Sequence, residues 1–215
     1  MSTQTFGRTA IKICGLTRKQ DMRAALDAGA DAVGLVFYRP SSRYVTIDQA
    51  AELARLVQPS VCIVGLFVNA LASEVREVLK HIPLDLLQFH GDDAYETEAY
   101  CKQFGKPYLK AARMAPGLDL LEYASRYPSA QALLLDAFVE GYGGGGKTFD
   151  WSLIPKSLPL PIVLSGGLNP DNVTEAVRIV RPAGVDVSSG VEESKGIKDA
   201  AKITAFIAGV KKADV

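Results

Sequence analysis

Eight short runs rich in Val, Ile, Leu and Ala recur along the 215 residues, each followed by a longer segment of helical period, and this alternation constrains the chain more than any other feature. The runs are Ala10 to Cys14, Ala32 to Phe37, Val61 to Phe67, Leu84 to Phe89, Pro107 to Ala112, Ala132 to Asp136, Ile162 to Ser165 and Gly184 to Val187. Nearly continuous apolar runs belong to strands buried on both faces, and parallel strands buried in that way need helical crossovers. Helix starts fall near Arg18, Thr46, Ala70, Asp92, Gly117, Trp151, Asn169 and Lys198. Asn69 and Asn169 stand where N-caps are expected, and Pro170 follows the second at the position where a helix tolerates proline. The sixth connection is the weak one, because Gly141 to Gly146 is mostly glycine and Pro155 cuts the following helix short. Eight units in a chain near the lower length limit of the fold predict an α/β architecture: a single (β/α)8 TIM barrel of eight parallel strands, one domain over residues 1–215, in preference to an open doubly wound sheet.

Charge and cysteine usage narrow the ligand. Lys plus Arg and Asp plus Glu are 24 each, so the basic footprint of a nucleic-acid or anionic-membrane binder is missing and a small molecule is the expected partner. The longest apolar runs are strand-sized, far below the roughly 20 residues of a membrane span. Met1 to Thr9 is polar and lacks the apolar core of a signal peptide. Cys14, Cys62 and Cys101 form no metal-ligand spacing, and a sparse, odd count suits a reducing compartment, so a cytoplasmic location is expected. A barrel this short works as a monomer or a homodimer, and no exposed apolar helix face decides between them.

In a barrel, function gathers at the C-terminal strand ends and the loops that follow. Two glycine or serine turns occupy the last two such ends, Ser165-Gly166-Gly167-Leu168-Asn169 and Ser188-Ser189-Gly190-Val191-Glu192. Either alone reads as a tight turn; the pair at these positions points to a phosphate held by Gly166, Gly167, Ser188, Ser189 and Gly190, because glycine lets the backbone approach an anion. Gly141 to Thr148 matches the phosphate-loop pattern G-x-x-x-x-G-K-[ST] letter for letter, yet no strand runs directly into it and no substantial helix follows. It reads better as a loop able to fold over a ligand, with Lys147 within reach of an anion. Cys14 ends the first strand, where a thiol of lowered pKa could serve as base or nucleophile; Cys62 and Cys101 read as buried hydrophobes within a strand and a helix. Asp136 closes an apolar strand at the same mouth, where a partly buried acid tends to stay protonated and suits a general acid. Arg43, after Pro40-Ser41-Ser42, offers a guanidinium to a substrate carboxylate. Gln88 and His90 line the site, and neither His90 nor His81, at the end of an outer helix, has the partners of a nucleophilic triad.

Lys12-Ile13-Cys14-Gly15-Leu16-Thr17, Gly34-Leu35-Val36-Phe37 with Ser41-Ser42-Arg43-Tyr44-Val45, Gly65-Leu66-Phe67-Val68-Asn69, Gln88-Phe89-His90-Gly91, Leu135-Asp136, Gly145 to Trp151, Ser165-Gly166-Gly167-Leu168 and Asp186 to Glu192 together resemble the phosphoribosylanthranilate isomerase family of tryptophan biosynthesis. They run in order from the first strand to the eighth. The run of four glycines before Lys147 looks one longer than the family's, which bears on loop motion and not on the reaction. The resemblance implies a ribulose-phosphate-binding type of barrel and an Amadori rearrangement of N-(5-phosphoribosyl)anthranilate to the 1-amino-1-deoxyribulose 5-phosphate, an aldose-to-ketose isomerisation. It further implies Asp136 as general acid and Cys14 as thiolate base, Arg43 on the anthranilate carboxylate, the two turns on the phosphate, and neither metal nor organic cofactor. One group must be protonated and another deprotonated at the same pH, hence a raised carboxyl paired with a lowered thiol.

The sequence is also compatible with three rival readings. Another phosphate-binding barrel enzyme, an indole-glycerol-phosphate synthase or a histidine-pathway isomerase, would be expected to carry different residues at the first strand. A nucleotide hydrolase built on the glycine loop and a phosphate-ligand binding protein without turnover are the others.

Overall fold

The computed structural model describes residues 7–137 and 148–214. Eight parallel strands, β1 (Ala10–Cys14), β2 (Ala32–Val36), β3 (Cys62–Phe67), β4 (Leu86–Phe89), β5 (Tyr108–Met114), β6 (Ala132–Ala137), β7 (Ile162–Leu164) and β8 (Gly184–Val187), pair in chain order. The order closes into a barrel where β8 pairs with β1. Around them run α1 (Lys19–Ala28), α2 (Ile47–Ala54), α3 (Ala72–His81), α4 (Glu98–Lys102), α5 (Leu120–Ser125), α6 (Val173–Val180) and α7 (Ala200–Ala213). Between β6 and β7 the described residues hold only a 3-10 turn, Trp151–Leu153. Pro155, two residues beyond it, cannot donate the backbone hydrogen bond that would extend the turn. After β8 a second 3-10 turn, Ser189–Val191, leads into an antiparallel ribbon of β9 (Glu192–Ser194) and β10 (Ile197–Lys198). No helix among the described residues is long and apolar enough to cross a membrane.

Alternate strand residues face inward and outward. Outward-facing Ile11, Ile13, Val33 and Leu35 join Met22 and Ala25 of α1 and Ile203 and Phe206 of α7 in one buried cluster between barrel and helices. Inward-facing Leu109, Ala111, Ala132 and Leu134, with Leu86 and Val163 against them, form a separate apolar plug. The N-terminal rim is tied by carboxylates: Asp31 accepts from Ile11 N at 2.9 Å and Asp85 from Ile63 N at 2.8 Å. Asp214, the C-cap of α7, accepts from Thr9 N at 3.0 Å and Thr9 Oγ1 at 2.7 Å, fastening the last helix to the entry of β1.

Three local expectations fail for identifiable reasons. The helix expected near Asp92 begins only at Glu98, because the Asp92 carbonyl closes a turn onto Tyr95 N and Glu96 N, and Thr97 then caps α4 through its side chain. Asn69 is not an N-cap: it takes a left-handed conformation (φ 48°) and exchanges two 2.8 Å hydrogen bonds with Asp92. The N-cap of α3 is instead Leu71, whose N–H donates to Glu74. Asn169 likewise forms a side-chain turn, accepting from Asp171 N at 2.8 Å, and Asn172 precedes α6.

Candidate active site

The plug fills the lower barrel with apolar side chains, so the upper, C-terminal end of the interior is free to be polar. Cys14, at the end of β1, pairs in register with Gly34 of β2 and is 4% exposed. A Cβ on Gly34 would lie 2.7 Å from Cys14 Sγ and 3.2 Å from Lys12 Nζ, so the thiol and the ammonium lean on the same bare Cα. Lys12, two residues earlier on the same strand face, donates to Asp186 Oδ1 at 2.7 Å, and Ser165 Oγ donates to Asp186 Oδ2 at 3.4 Å. Burial works against the charge of Lys12, but Asp186 and then Cys14 outweigh it and hold the ammonium above the ordinary lysine range. Burial pushes the Cys14 thiol up; Lys12 pulls it down and Asp186 pushes it up again. The lowered thiol expected at Cys14 is thus corrected: Sγ is removed from water, while the nearest cation is shared with a carboxylate.

Asp136, inward-facing on β6, accepts at Oδ1 from Ala137 N at 3.0 Å, and its Oδ2 lies 3.1 Å from His90 Nε2. His90 Nδ1 is 3.2 Å from Gln88 Nε2, so with the amide in this orientation Gln88 donates to Nδ1 and His90 carries its proton on Nε2, toward Asp136. Gln88 is fully buried and its Oε1 has no hydrogen-bond partner among the described residues. Gln88, His90 and Asp136 therefore form a chain along the wall from β4 to β6.

The two turns meet over the ends of β7 and β8. Gly166 and Gly167 have φ of +80° and +68°, which side chains rarely adopt. A Cβ on Gly166 would sit 2.4 Å from Ala137 N and 3.0 Å from Asp136 Oδ1, so this glycine also seats the turn on the carboxylate. A Cβ on Gly190 would strike the Leu168 carbonyl at 1.9 Å, which is how Gly166-Gly167 and Ser188-Ser189-Gly190 come together. Lys198 of β10 donates to the Ser188 carbonyl at 3.0 Å and Ser188 Oγ at 3.2 Å.

Arg43 lies over the mouth because Gly15 has no Cβ; one there would be 2.5 Å from Arg43 Cδ. Its Nε and Nη2 donate to Glu192 Oε1 and Oε2 at 2.7 and 2.8 Å, so one edge of the guanidinium is already engaged. Lys198 also reaches Glu192, at 2.9 Å. Burial would raise the Glu192 carboxyl, but Arg43 and Lys198 outweigh it and hold it below its usual range. Lys147 and Gly141 to Gly146 lie outside the described residues. Cys62 falls in β3 and Cys101 in α4, both pushed up by burial, and His81 ends α3.

With a thiol, a carboxylate, a histidine and paired glycine turns gathered at one barrel mouth, the chain matches a family model over residues 11–209, that of N-(5'-phosphoribosyl)anthranilate (PRA) isomerase. The chain belongs to this family. It is 61% identical over 207 residues to the N-(5'-phosphoribosyl)anthranilate isomerase of Dechloromonas aromatica, covering 96% of this chain and 98% of that protein. The crystal structure of phosphoribosyl anthranilate isomerase from Thermotoga maritima superposes with a TM-score of 0.87 at 40% identity, covering 95% of this chain and 99% of the other. A phosphoribosyl anthranilate isomerase in complex with reduced 1-(o-carboxyphenylamino)-1-deoxyribulose 5-phosphate superposes at 0.83, with 38% identity over 95% and 99% of the two chains.

Membership of the phosphoribosylanthranilate isomerase family agrees with the motif reading, which left several wall residues without a role. Lys12 opens the first motif, and period two places it on the face of Cys14. Gly34 opens the second, but only its register partner shows what it does. Glu192 was visible only as the end of a motif, and its pairing with Arg43, 149 residues away, leaves no local trace.

Proposed function

We propose that this chain isomerises N-(5'-phosphoribosyl)anthranilate to the 1-amino-1-deoxyribulose 5-phosphate with Asp136 as general acid and Cys14 as general base. The observation that carries the reading is the order around the mouth: Asp136 is the penultimate residue of β6, the glycine turns follow β7 and β8, and Cys14 ends β1. A sugar phosphate anchored by the two middle strands is flanked by an acid on one side and a base on the other. Asp136 protonates the furanose ring oxygen, the C1–O bond breaks, and the anthranilate nitrogen supplies the electron pair that makes a Schiff base. Cys14 as thiolate takes the proton from C2, the C–H electrons flow into the Schiff base to give an enolamine, and tautomerisation yields the ketone. His90, held by Gln88, fixes the carboxyl of Asp136 and supplies a hydrogen bond as its charge changes.

Gly166, Gly167, Ser188, Ser189 and Gly190 hold the phosphate with backbone N–H groups, and Arg43 meets the anthranilate carboxylate with the guanidinium edge that Glu192 does not occupy. Binding between such fixed groups places C2 at the thiolate, the near-attack geometry that proton transfer requires. The test is incubation of the protein with freshly made N-(5'-phosphoribosyl)anthranilate, following loss of anthranilate-type fluorescence and the replacement of the anomeric carbon by a ketone carbon in the NMR spectrum. Conversion supports the reading; folded protein that leaves the substrate unchanged refutes it.

A further inference from the structure

Lys12 takes no step in the scheme above, yet it is a charged side chain only 6% exposed in the wall of the mouth, beside a carboxylate 7% exposed. Its position relative to Cys14 is set by Gly34: the point a Cβ would occupy is 2.7 Å from Sγ and 3.2 Å from Nζ, so the two groups border one point that no side-chain carbon could fill. Four charged groups among the described residues act on Cys14. Lys12 comes from β1, Asp186 from β8 and Lys198 from β10, and Arg43 reaches over from the loop after β2. The strand beside Cys14, β2, presents Gly34 in register with it. Lys198 and Arg43 are both drawn to Glu192, at 2.9 and 2.7 Å, which spends their charge on a common carboxylate. Lys12 is the cation that leans on the same Cα as the thiol.

We propose that Lys12 is a positioning residue for Cys14: its ammonium holds the thiolate in place against Gly34, and Asp186 is the counterweight that limits the effect. This rests on Cys14 being the base. The thiol proton leaves to solvent, and the resulting negative charge is met by Lys12 instead of by water that burial has excluded. Asp186 keeps Lys12 protonated and extended, but its own negative charge opposes a second one nearby, so the pair sets how readily Cys14 ionises. A purely structural role, tying β1 to β8 at the seam of the barrel, would make the loss of either partner do the same damage. The electrostatic role makes their losses opposite in sign.

The experiment is the pH dependence of Cys14 alkylation by iodoacetamide, resolved from Cys62 and Cys101 by mass spectrometry of the peptides, in the full-length protein and in Lys12→Met, Lys12→Arg, Asp186→Asn and the double variant Lys12→Met/Asp186→Asn. An opposite charge at this range moves a pKa by about 1–3 units. Lys12→Met is expected to move the alkylation midpoint up by about one unit or more, a loss of about tenfold in rate below the midpoint. Asp186→Asn moves it down, Lys12→Arg returns it toward wild type, and the double variant lies between the two single ones. Should Lys12→Met not fold, the double variant against Asp186→Asn carries the same comparison, because it removes the cation without orphaning a carboxylate. An unchanged midpoint in Lys12→Met, or shifts of the same sign in Lys12→Met and Asp186→Asn, overturns the proposal. Failure of the base assignment reads out separately, as turnover that survives Cys14→Ala, and leaves the alkylation result standing.

Discussion

Replacing Gly34 by alanine adds one methyl group beside both the thiol of Cys14 and the ammonium of Lys12. The new Cβ would lie 2.7 Å from Cys14 Sγ, 3.1 Å from Cys14 Cα and 3.2 Å from Lys12 Nζ. An ordinary contact begins at 3.4 Å, so the thiol must retreat by roughly 0.7 Å, and the Cα of a hydrogen-bonded strand partner cannot retreat with it. A reacting group misplaced by about 1 Å costs on the order of 100-fold, or about 2.7 kcal/mol in the barrier. Overpacking itself costs about 1–3 kcal/mol of stability. The control is Gly65→Ala, whose Cβ would meet Leu84 Cδ1 at 2.4 Å and Phe67 Cε2 at 3.1 Å, in the apolar layer outside the barrel. Both variants should lower Tm by a few degrees; Gly34→Ala alone should lower kcat/KM, by about 100-fold, in the fluorescence assay. If Gly34→Ala turns over like wild type, or if Gly65→Ala loses as much as Gly34→Ala, the thiol at that position is not the reacting group.

Other perturbations probe the surroundings. His90→Ala removes the 3.1 Å contact to Asp136 and should reduce kcat about 10- to 100-fold with KM little changed, since a hydrogen bond to a charged group is worth about 1.5–3 kcal/mol; unaltered kcat would remove His90 from the account. Lys110 and Glu96 are both fully buried, 3.1 Å apart, and Glu96 also accepts from Asn69 N and Gly91 N. Lys110→Met should therefore cost about 3–5 kcal/mol in denaturant unfolding, with Lys110→Met/Glu96→Gln losing less than the single variant. Burial pushes the Cys101 thiol up to about 12 from an ordinary value of 9. Its folded-state pKa is the higher one, so the stability it contributes is complete below pH 9 and is lost as pH rises through about 12. Chemical denaturation of Cys101→Ala should show a smaller decline than wild type across that window, and parallel declines would contradict the assignment.

Much of this was legible in the sequence because strand and helix periods are local. The eight runs of apolar residues specify strands through burial on both faces, and β1 and β8 coincide with the expected bounds. Cys14 and Asp136 were legible as candidates for the same reason: each ends such a run. What was hidden depends on tertiary partners. Asn69 looked like a helix cap until Asp92, on the next loop, was found to engage both ends of its amide. The direction of the Cys14 shift could not be read from its position alone, because desolvation by the barrel wall competes with a lysine that is itself shared with Asp186. Arg43 was recognisable as a candidate anion binder, but not the carboxylate of Glu192 that orients it.

In the proposed reaction Cys14 and Asp136 perform the proton transfers and are not merely part of the binding surface. These roles are tested by single-turnover conversion of N-(5'-phosphoribosyl)anthranilate by Cys14→Ala and Asp136→Ala, run beside calorimetric binding of a reduced product analogue to the same two variants. Both variants should bind the analogue within about tenfold of wild type while conversion falls by at least about 100-fold in each, the scale of a lost acid or base. Conversion at the wild-type rate by either variant that still binds would contradict these roles.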